Sequence, residues 1–115
     1  MSLDALKTMD IIELMENYID KIRPEEEMRD QLDISYKIEG QSIFITEIRP
    51  YFMDPKQKIE TPIAKTTFVK AKNCWKVFWM RGNLKWYPYG PMPIVKTLKE
   101  FTELVEEDEY GCFWG

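Results

Sequence analysis

Histidine is absent from the sequence, and serine and glycine are scarce. Without histidine the chain lacks the commonest general base, the usual partner of serine and cysteine nucleophiles, and the commonest zinc ligand. None of the three serines lies in a Gly-x-Ser-x-Gly or Ser-x-x-Lys motif, and the five glycines form no phosphate-binding loop. These absences exclude most enzymes that are recognisable from sequence motifs, so we expect no enzyme, no catalytic residue, no metal site and no cofactor.

Cysteine and long apolar runs are also lacking. Cys74 and Cys112 are too few for a zinc cluster or a disulfide framework, and we interpret them as buried thiols in a reducing compartment. No apolar run approaches the roughly 20 residues that cross a bilayer, and the N-terminus has no basic segment followed by an apolar one. We therefore expect a cytoplasmic protein with no membrane partner.

What is present is enough apolar material for one core, since 44% of the 115 residues are hydrophobic and 14% are aromatic. Two segments repeat apolar residues at three- and four-residue spacing, which predicts an N-terminal helix that Pro24 ends and a C-terminal helix. The repeats are Ile11, Met15, Tyr18 and Ile22, then Ile94, Leu98, Phe101 and Val105. We expect a single domain over residues 1–115.

Between these helices the hydrophobic period changes to two, which is typical of β-strands. Gly40-Gln41 predicts a two-residue hairpin turn that sets Ile38 opposite Ile43, because glycine adopts the positive φ that such a turn requires. Residues 50–62 contain three prolines and scattered charges, and we interpret them as a surface connection.

Three further strands are predicted at about 63–71, 74–81 and 84–89, which together form a meander. A two-residue turn at Gly82-Asn83 would place Trp79 opposite Trp86 and Phe78 opposite Tyr87. The whole pattern predicts an α+β fold, in which an antiparallel sheet of about five strands, a hairpin plus a meander, has both helices packed on one face.

Several short segments in this order resemble a known family. They are Tyr36-Lys37-Ile38-Glu39-Gly40, Glu47-Ile48-Arg49-Pro50, Pro62-Ile63-Ala64-Lys65, Trp75, Trp79, Lys85-Trp86 with Tyr89, and the closing Phe113-Trp114-Gly115. Over about residues 15–115 the chain resembles the domain of unknown function 3024 family. The resemblance implies a small bacterial protein and brings no catalytic residue with it.

Charge is strongly segregated along the chain. Residues 61–99 contain eight basic side chains and no acidic one, so this segment carries +8 and the remainder −12. The net charge of −4 therefore hides a basic meander, which also holds seven of the sixteen aromatic residues.

Strand alternation predicts that one face of the 63–89 meander mixes cations with aromatic rings. We expect the face to present Lys65, Lys76, Phe78, Lys85, Tyr87 and Tyr89.

Our leading hypothesis is a non-enzymatic binding or protein-interaction module, whose partner is another protein or a second copy of the chain. The alternative is binding of single-stranded nucleic acid or another polyanion, with rings stacking on bases and lysines contacting phosphates. The plain structural interpretation is a half-buried surface with lysine stems lying over aromatic rings.

A third hypothesis is a metal-dependent phosphodiesterase built on Asp33 and the Glu47-Ile48-Arg49 segment. The predicted hairpin register places Asp33 and Glu47 on opposite faces of the sheet, which argues against a shared metal, and the plain alternative is a Glu47–Arg49 ion pair.

At the C-terminus, Phe113 and Trp114 are predicted to fold back as a hydrophobic clasp; a C-terminal tag recognised by another protein is the alternative.

Overall fold

The computed structural model describes residues 5–114, so residues 1–4 and 115 of the predicted domain lie outside the described residues. Two helices and a six-stranded antiparallel sheet make up this region, which confirms the α+β prediction with one strand more than expected. The additional strand contains Ile94, so the assignment of Ile94 to the C-terminal helix is wrong. The elements are α1 (Ala5–Ile22), β1 (Asp33–Glu39), β2 (Ser42–Tyr51), β3 (Asp54–Val69), β4 (Cys74–Met80), β5 (Trp86–Pro88), β6 (Ile94–Val95) and α2 (Leu98–Glu107). The strand order is β1-β2-β3-β4-β5, and β6 pairs with β4 beyond the end of β5.

The first hairpin has the predicted register. Ile38 lies opposite Ile43, and Gly40 adopts a φ of +58° in the turn. A residue with a Cβ would be strained in this left-handed conformation, which explains why glycine stands there.

The predicted surface connection over residues 50–62 is wrong. These residues complete β2 and begin β3, which form a long two-stranded ribbon turning at Phe52 and Met53. Two register irregularities accommodate prolines: one lies between Pro50 and Tyr51, and at the other Ile63 is an extra residue beside Pro62. Proline lacks a backbone N–H and is tolerated at bulges and sheet edges. The part of β3 that is N-terminal to Ala64 has no partner in β4 and is therefore an edge strand.

The predicted register of the β4–β5 hairpin is also wrong, by one residue. Tyr87 lies opposite Trp79, and Trp86 lies opposite Met80. The loop contains three residues instead of two, because Leu84 adopts a φ of +63° and Gly82 does not have a positive φ. Three-residue hairpin loops ending in a left-handed residue are a common alternative to two-residue turns. Since side chains alternate between faces, this change moves the aromatic residues of β5 to the faces opposite those predicted.

One hydrophobic core lies between the sheet and the helices, as predicted. The sheet contributes Ile34, Ile43, Ile45, Ala64, Phe68, Trp75 and Val77, and the helices contribute Ile11, Met15, Tyr18, Ile19, Leu98, Phe101 and Val105. Within the described residues, neither helix is long and apolar enough to span a membrane.

The C-terminal aromatic residues fold back onto this core, which confirms the predicted clasp. Phe113 is 4% exposed and packs on Tyr89, with ring centroids 4.9 Å apart. The Asp108 carboxylate accepts hydrogen bonds from the backbone N–H groups of Phe113 and Trp114 at 3.0 and 2.9 Å. The Trp114 indole donates to the Val105 carbonyl at 2.8 Å, which ties the clasp to α2.

Candidate functional site

The face of the sheet opposite the two helices, here called the outer face, carries a row of cations and rings. Strand register places Lys37, Phe44, Lys65, Phe78 and Pro88 next to one another on five successive strands. Neighbouring strands are ~4.8 Å apart, so the row spans the width of the sheet with one side chain per strand.

Lys65 lies at the centre of an aromatic–lysine cluster that consists of Phe44, Lys65, Phe78 and Trp86. Its Nζ is 5.2 Å from the ring centroid of Phe78, 5.6 Å from that of Phe44 and 6.0 Å from that of Trp86. The Phe44 and Trp86 rings are themselves 5.9 Å apart. At these separations an ammonium group is attracted to the negative faces of the rings. All four side chains are half-buried, so the cluster is packed and still reaches solvent.

Three of the six predicted site residues are on the outer face. Lys65 and Phe78 belong to the cluster; Lys76 lies opposite Thr67 on the same face and is exposed. Lys85 is exposed at the end of the β4–β5 loop, where its carbonyl accepts a hydrogen bond from the Arg81 N–H, so the same register change places it opposite Arg81 and not on the predicted outer face. Their binding role stays a prediction.

The predicted placement of Tyr87 and Tyr89 on this face is wrong. Because the hairpin register differs by one residue, both tyrosines point to the helix side, where Tyr89 is 2% exposed against Phe113. Pro88 lies opposite Phe78, where the sequence predicted Tyr87, and Trp86 is the aromatic residue of β5 on the outer face, opposite Met80.

Sequence reasoning missed Phe44 and Trp86. The first hairpin already placed Phe44 on the face opposite Ile43 and Ile45, but with residues 50–62 interpreted as a connection, nothing brought β2 beside β3. Trp86 was missed because the loop length was misjudged by one residue.

Within the part of the chain that the structure describes, the cations of the basic segment make no close ion pair with a carboxylate. Among the residues that the structure describes, none of the eight basic side chains in 61–99 takes part in an ion pair. The ion pairs join Lys21 to Glu106, Arg23 to Asp33, Lys37 to Glu60 and Arg49 to Glu47. The acidic helix α2 thus pairs with α1 through Glu106 and makes no ion pair with the meander.

A second group of a cation and two rings lies on the helix side of the same hairpin. The guanidinium carbon of Arg81 is 4.8 Å from the Tyr87 ring centroid and 5.6 Å from that of Trp79. The Asn83 side-chain amide donates to the Tyr87 hydroxyl at 2.8 Å. We call Trp79, Arg81 and Tyr87 the arginine cluster.

The acidic residues of the phosphodiesterase hypothesis are held in separate ion pairs. Arg23 donates to both oxygens of Asp33 at 2.6 and 2.7 Å, and these hydrogen bonds lower the pKa of the Asp33 carboxyl group below its ordinary value. Glu47 accepts from Arg49 at 3.0 Å, as the plain alternative predicted. Ile34 is the residue opposite Glu47, so Asp33 lies on the other face, which confirms the predicted parity.

Exposed apolar residues mark the end of the ribbon. Phe52 is 84% exposed and Met53 is 69% exposed, and the Phe52 ring packs edge-on against Tyr51 with centroids 5.4 Å apart. We call these three residues the ribbon tip.

Comparison with known proteins finds a family model that covers nearly the whole chain. The model, described as Domain of unknown function (DUF3024), matches residues 3–115. No curated protein and no solved structure matches the chain.

Proposed function

The chain belongs to the domain of unknown function 3024 family, and on that premise we propose that it is a non-enzymatic module that binds single-stranded nucleic acid on the outer face of its sheet. The observation that carries this proposal is the aromatic–lysine cluster on a face that neither helix covers, together with basic residues that have no carboxylate partner within the described chain.

The chemistry of a single strand fits this arrangement. Every base has a flat π-face that stacks on aromatic side chains, which contributes about 1–3 kcal/mol per base and tolerates any sequence. The backbone carries one charge per nucleotide, and a lysine that contacts a phosphate releases a bound counterion. Phe44, Lys65 and Phe78 alternate ring, cation and ring on three neighbouring strands, so stacking and a charge contact are available side by side; Lys37 at the end of the row is paired with Glu60.

The packing of Lys65 over three rings also agrees with the plain structural interpretation of a half-buried surface. That interpretation does not explain Lys76, which is exposed on the outer face two residues before Phe78 and without an ion pair among the described residues.

The test compares matched lysine variants by fluorescence anisotropy with labelled single-stranded DNA and RNA of about 16 nucleotides, the upper end of common site sizes. Lys76→Gln removes a charge from the outer face, whereas Lys99→Gln removes one from α2, on the other side of the sheet. We expect Lys76→Gln to weaken binding several-fold and Lys99→Gln to have little effect. Phe78→Ala should cost about tenfold or more if a base stacks there. Equal effects of the two lysine variants would contradict the proposal.

A second candidate function, an interface with a protein partner or a second copy of the chain, is favoured by the ribbon tip. Its exposed Phe52 and Met53 lie at the end of a projecting two-stranded ribbon, and exposed apolar patches commonly mark interaction sites. An interface that uses Phe78 and Tyr87 together, as their predicted placement on one face would allow, is not available because the two rings face opposite sides of the sheet.

Sedimentation velocity over a range of protein concentrations tests the homodimer form of this candidate. We expect concentration-dependent dimerisation that Phe52→Ser abolishes and that Met92→Ser, at an exposed apolar residue outside the ribbon, leaves intact. A protein that stays monomeric throughout contradicts a homodimer.

We place the activity in the cytoplasm of a bacterium, as the family resemblance and cysteine usage predict. Cys74 and Cys112 are both free thiols; Cys74 is buried as predicted, whereas Cys112 is only half-buried. Unpaired thiols of this kind are typical of reducing compartments.

A further inference from the structure

The arginine cluster lies at an edge of the sheet, next to the outer face. β5 is the last strand of the sheet path, and within the described chain no strand pairs with its second edge. Trp86 and Tyr87 are adjacent residues of this strand, and they point to opposite faces. One strand therefore separates the aromatic–lysine cluster from the arginine cluster.

The guanidinium group of Arg81 is available to bind an anion. Its guanidinium group lies over the Tyr87 ring at 4.8 Å, and no carboxylate among the described residues pairs with it. A guanidinium that stacks on a ring keeps the N–H donors of its edge free, and their fork matches a phosphate oxygen pair.

The Tyr87 ring is itself held in place. Asn83 donates a hydrogen bond to the Tyr87 hydroxyl at 2.8 Å, and the Asn83 side-chain oxygen accepts from the backbone N–H of Lys85 at 3.1 Å. These bonds tie the ring to the β4–β5 loop, so the surface on which Arg81 rests is fixed before any ligand binds. Because the Tyr87 ring is already fixed, it loses less conformational freedom when a ligand binds to Arg81.

We propose that a single strand of nucleic acid bound on the outer face passes around the β5 edge, and that Arg81 binds one of its phosphates on the helix side. This inference rests on the proposed function and extends the site to a second face. The ligand it requires is flexible, because a duplex could not turn around the edge of one strand within so short a distance. The contact is made to the sugar–phosphate backbone, so DNA and RNA strands should share it.

The experiment measures the salt dependence of binding for the full chain with single-stranded DNA and RNA of about 16 nucleotides. Each phosphate contact on a single strand contributes about −0.7 to the slope of log K against log salt concentration. We expect Arg81→Gln to reduce the magnitude of the slope by about 0.7 and to weaken binding several-fold at low salt. Arg81→Lys, which keeps the charge and loses the planar fork, should preserve the slope and recover part of the affinity.

Two controls separate this proposal from its premise. Arg49→Gln removes the same charge from the ribbon, where Arg49 is paired with Glu47, and should leave the slope unchanged. Phe78→Ala reports on the outer face alone. If Phe78→Ala weakens binding while Arg81→Gln changes neither slope nor affinity, the path around β5 is wrong and the outer-face site stands. If neither variant weakens binding, the proposed function itself fails. An equal loss of slope in Arg49→Gln would show a general charge effect and would also overturn the role of Arg81.

Discussion

At the scale of single residues, Leu84 decides which side chains the outer face presents. It adopts a φ of +63° and is 75% exposed, so little packing compensates for its left-handed backbone. This conformation lets the loop hold three residues, with the Leu84 N–H bonded to the Arg81 carbonyl at 2.9 Å and the Arg81 N–H bonded to the Lys85 carbonyl at 3.1 Å. A two-residue turn would reverse the faces of Trp86 and Tyr87.

Replacing Leu84 by glycine should therefore stabilise the fold. A left-handed conformation costs an L-residue about 1–2 kcal/mol, and the greater freedom of glycine in the unfolded chain offsets part of the relief. We expect Leu84→Gly to raise the free energy of unfolding by up to about 1 kcal/mol, measured by urea denaturation. Leu84→Ala is the matched control, because alanine keeps the Cβ and the strain. Equal stabilities of the two variants would show that the loop does not have this conformation.

At the scale of elements, the C-terminal clasp is held by one carboxylate. Asp108 ends α2 with a φ of 41° and accepts the backbone N–H groups of Phe113 and Trp114. The clasp covers Tyr89, which lies directly after β5, so it supports the strand that separates the two clusters.

Weakening this carboxylate should loosen the clasp. Asp108→Asn keeps the shape and the tolerance for a left-handed backbone, but it removes the charge and one acceptor. We expect a loss of about 1–2 kcal/mol and a melting temperature several degrees lower. Glu109→Gln, at an exposed neighbour, should leave the melting temperature unchanged. If both variants melt alike, Asp108 does not hold the clasp.

Elements with strong hydrophobic periodicity were predictable from the sequence, and the ribbon was not. Both helices and the first hairpin follow from regular spacing and one glycine turn. In the ribbon, Pro55, Lys56, Lys58 and Pro62 are typical of a loop, yet the same residues protect an unpaired strand edge from aggregation. The local residue pattern is the same for a loop and for an edge strand, because the two differ only in whether a neighbouring strand pairs with the segment.

The candidate site was predictable in part for the same reason. Alternation of side chains within a single strand predicts the outer-face positions of Lys65, Lys76 and Phe78, and the structure has the same alternation. The place of Trp86 in the cluster depends on the length of a loop, and that of Phe44 depends on the order of the strands. Both are properties of the whole sheet.

At the scale of the whole molecule, charge is segregated along the chain rather than averaged over it. The segment 61–99 carries +8 and the remainder −12, and the ion pairs among described residues leave the positive segment uncompensated. The overall negative charge of −4 repels a polyanion at long range, while the local cations attract it. Binding should therefore be weak at physiological salt and strong at low salt, where screening of the local contacts is least.

Binding of a single-stranded polyanion to the outer face can be tested by a salt titration of the wild-type protein. Intrinsic tryptophan fluorescence is followed while single-stranded DNA or RNA is added at about 50 mM salt, and the complex is then dissociated by added salt. We predict quenching on binding, since Trp86 lies in the cluster, and a linear, negative dependence of log K on log salt with a slope near −0.7 per phosphate contacted. No binding at low salt, or binding that salt does not weaken, would contradict the proposed function.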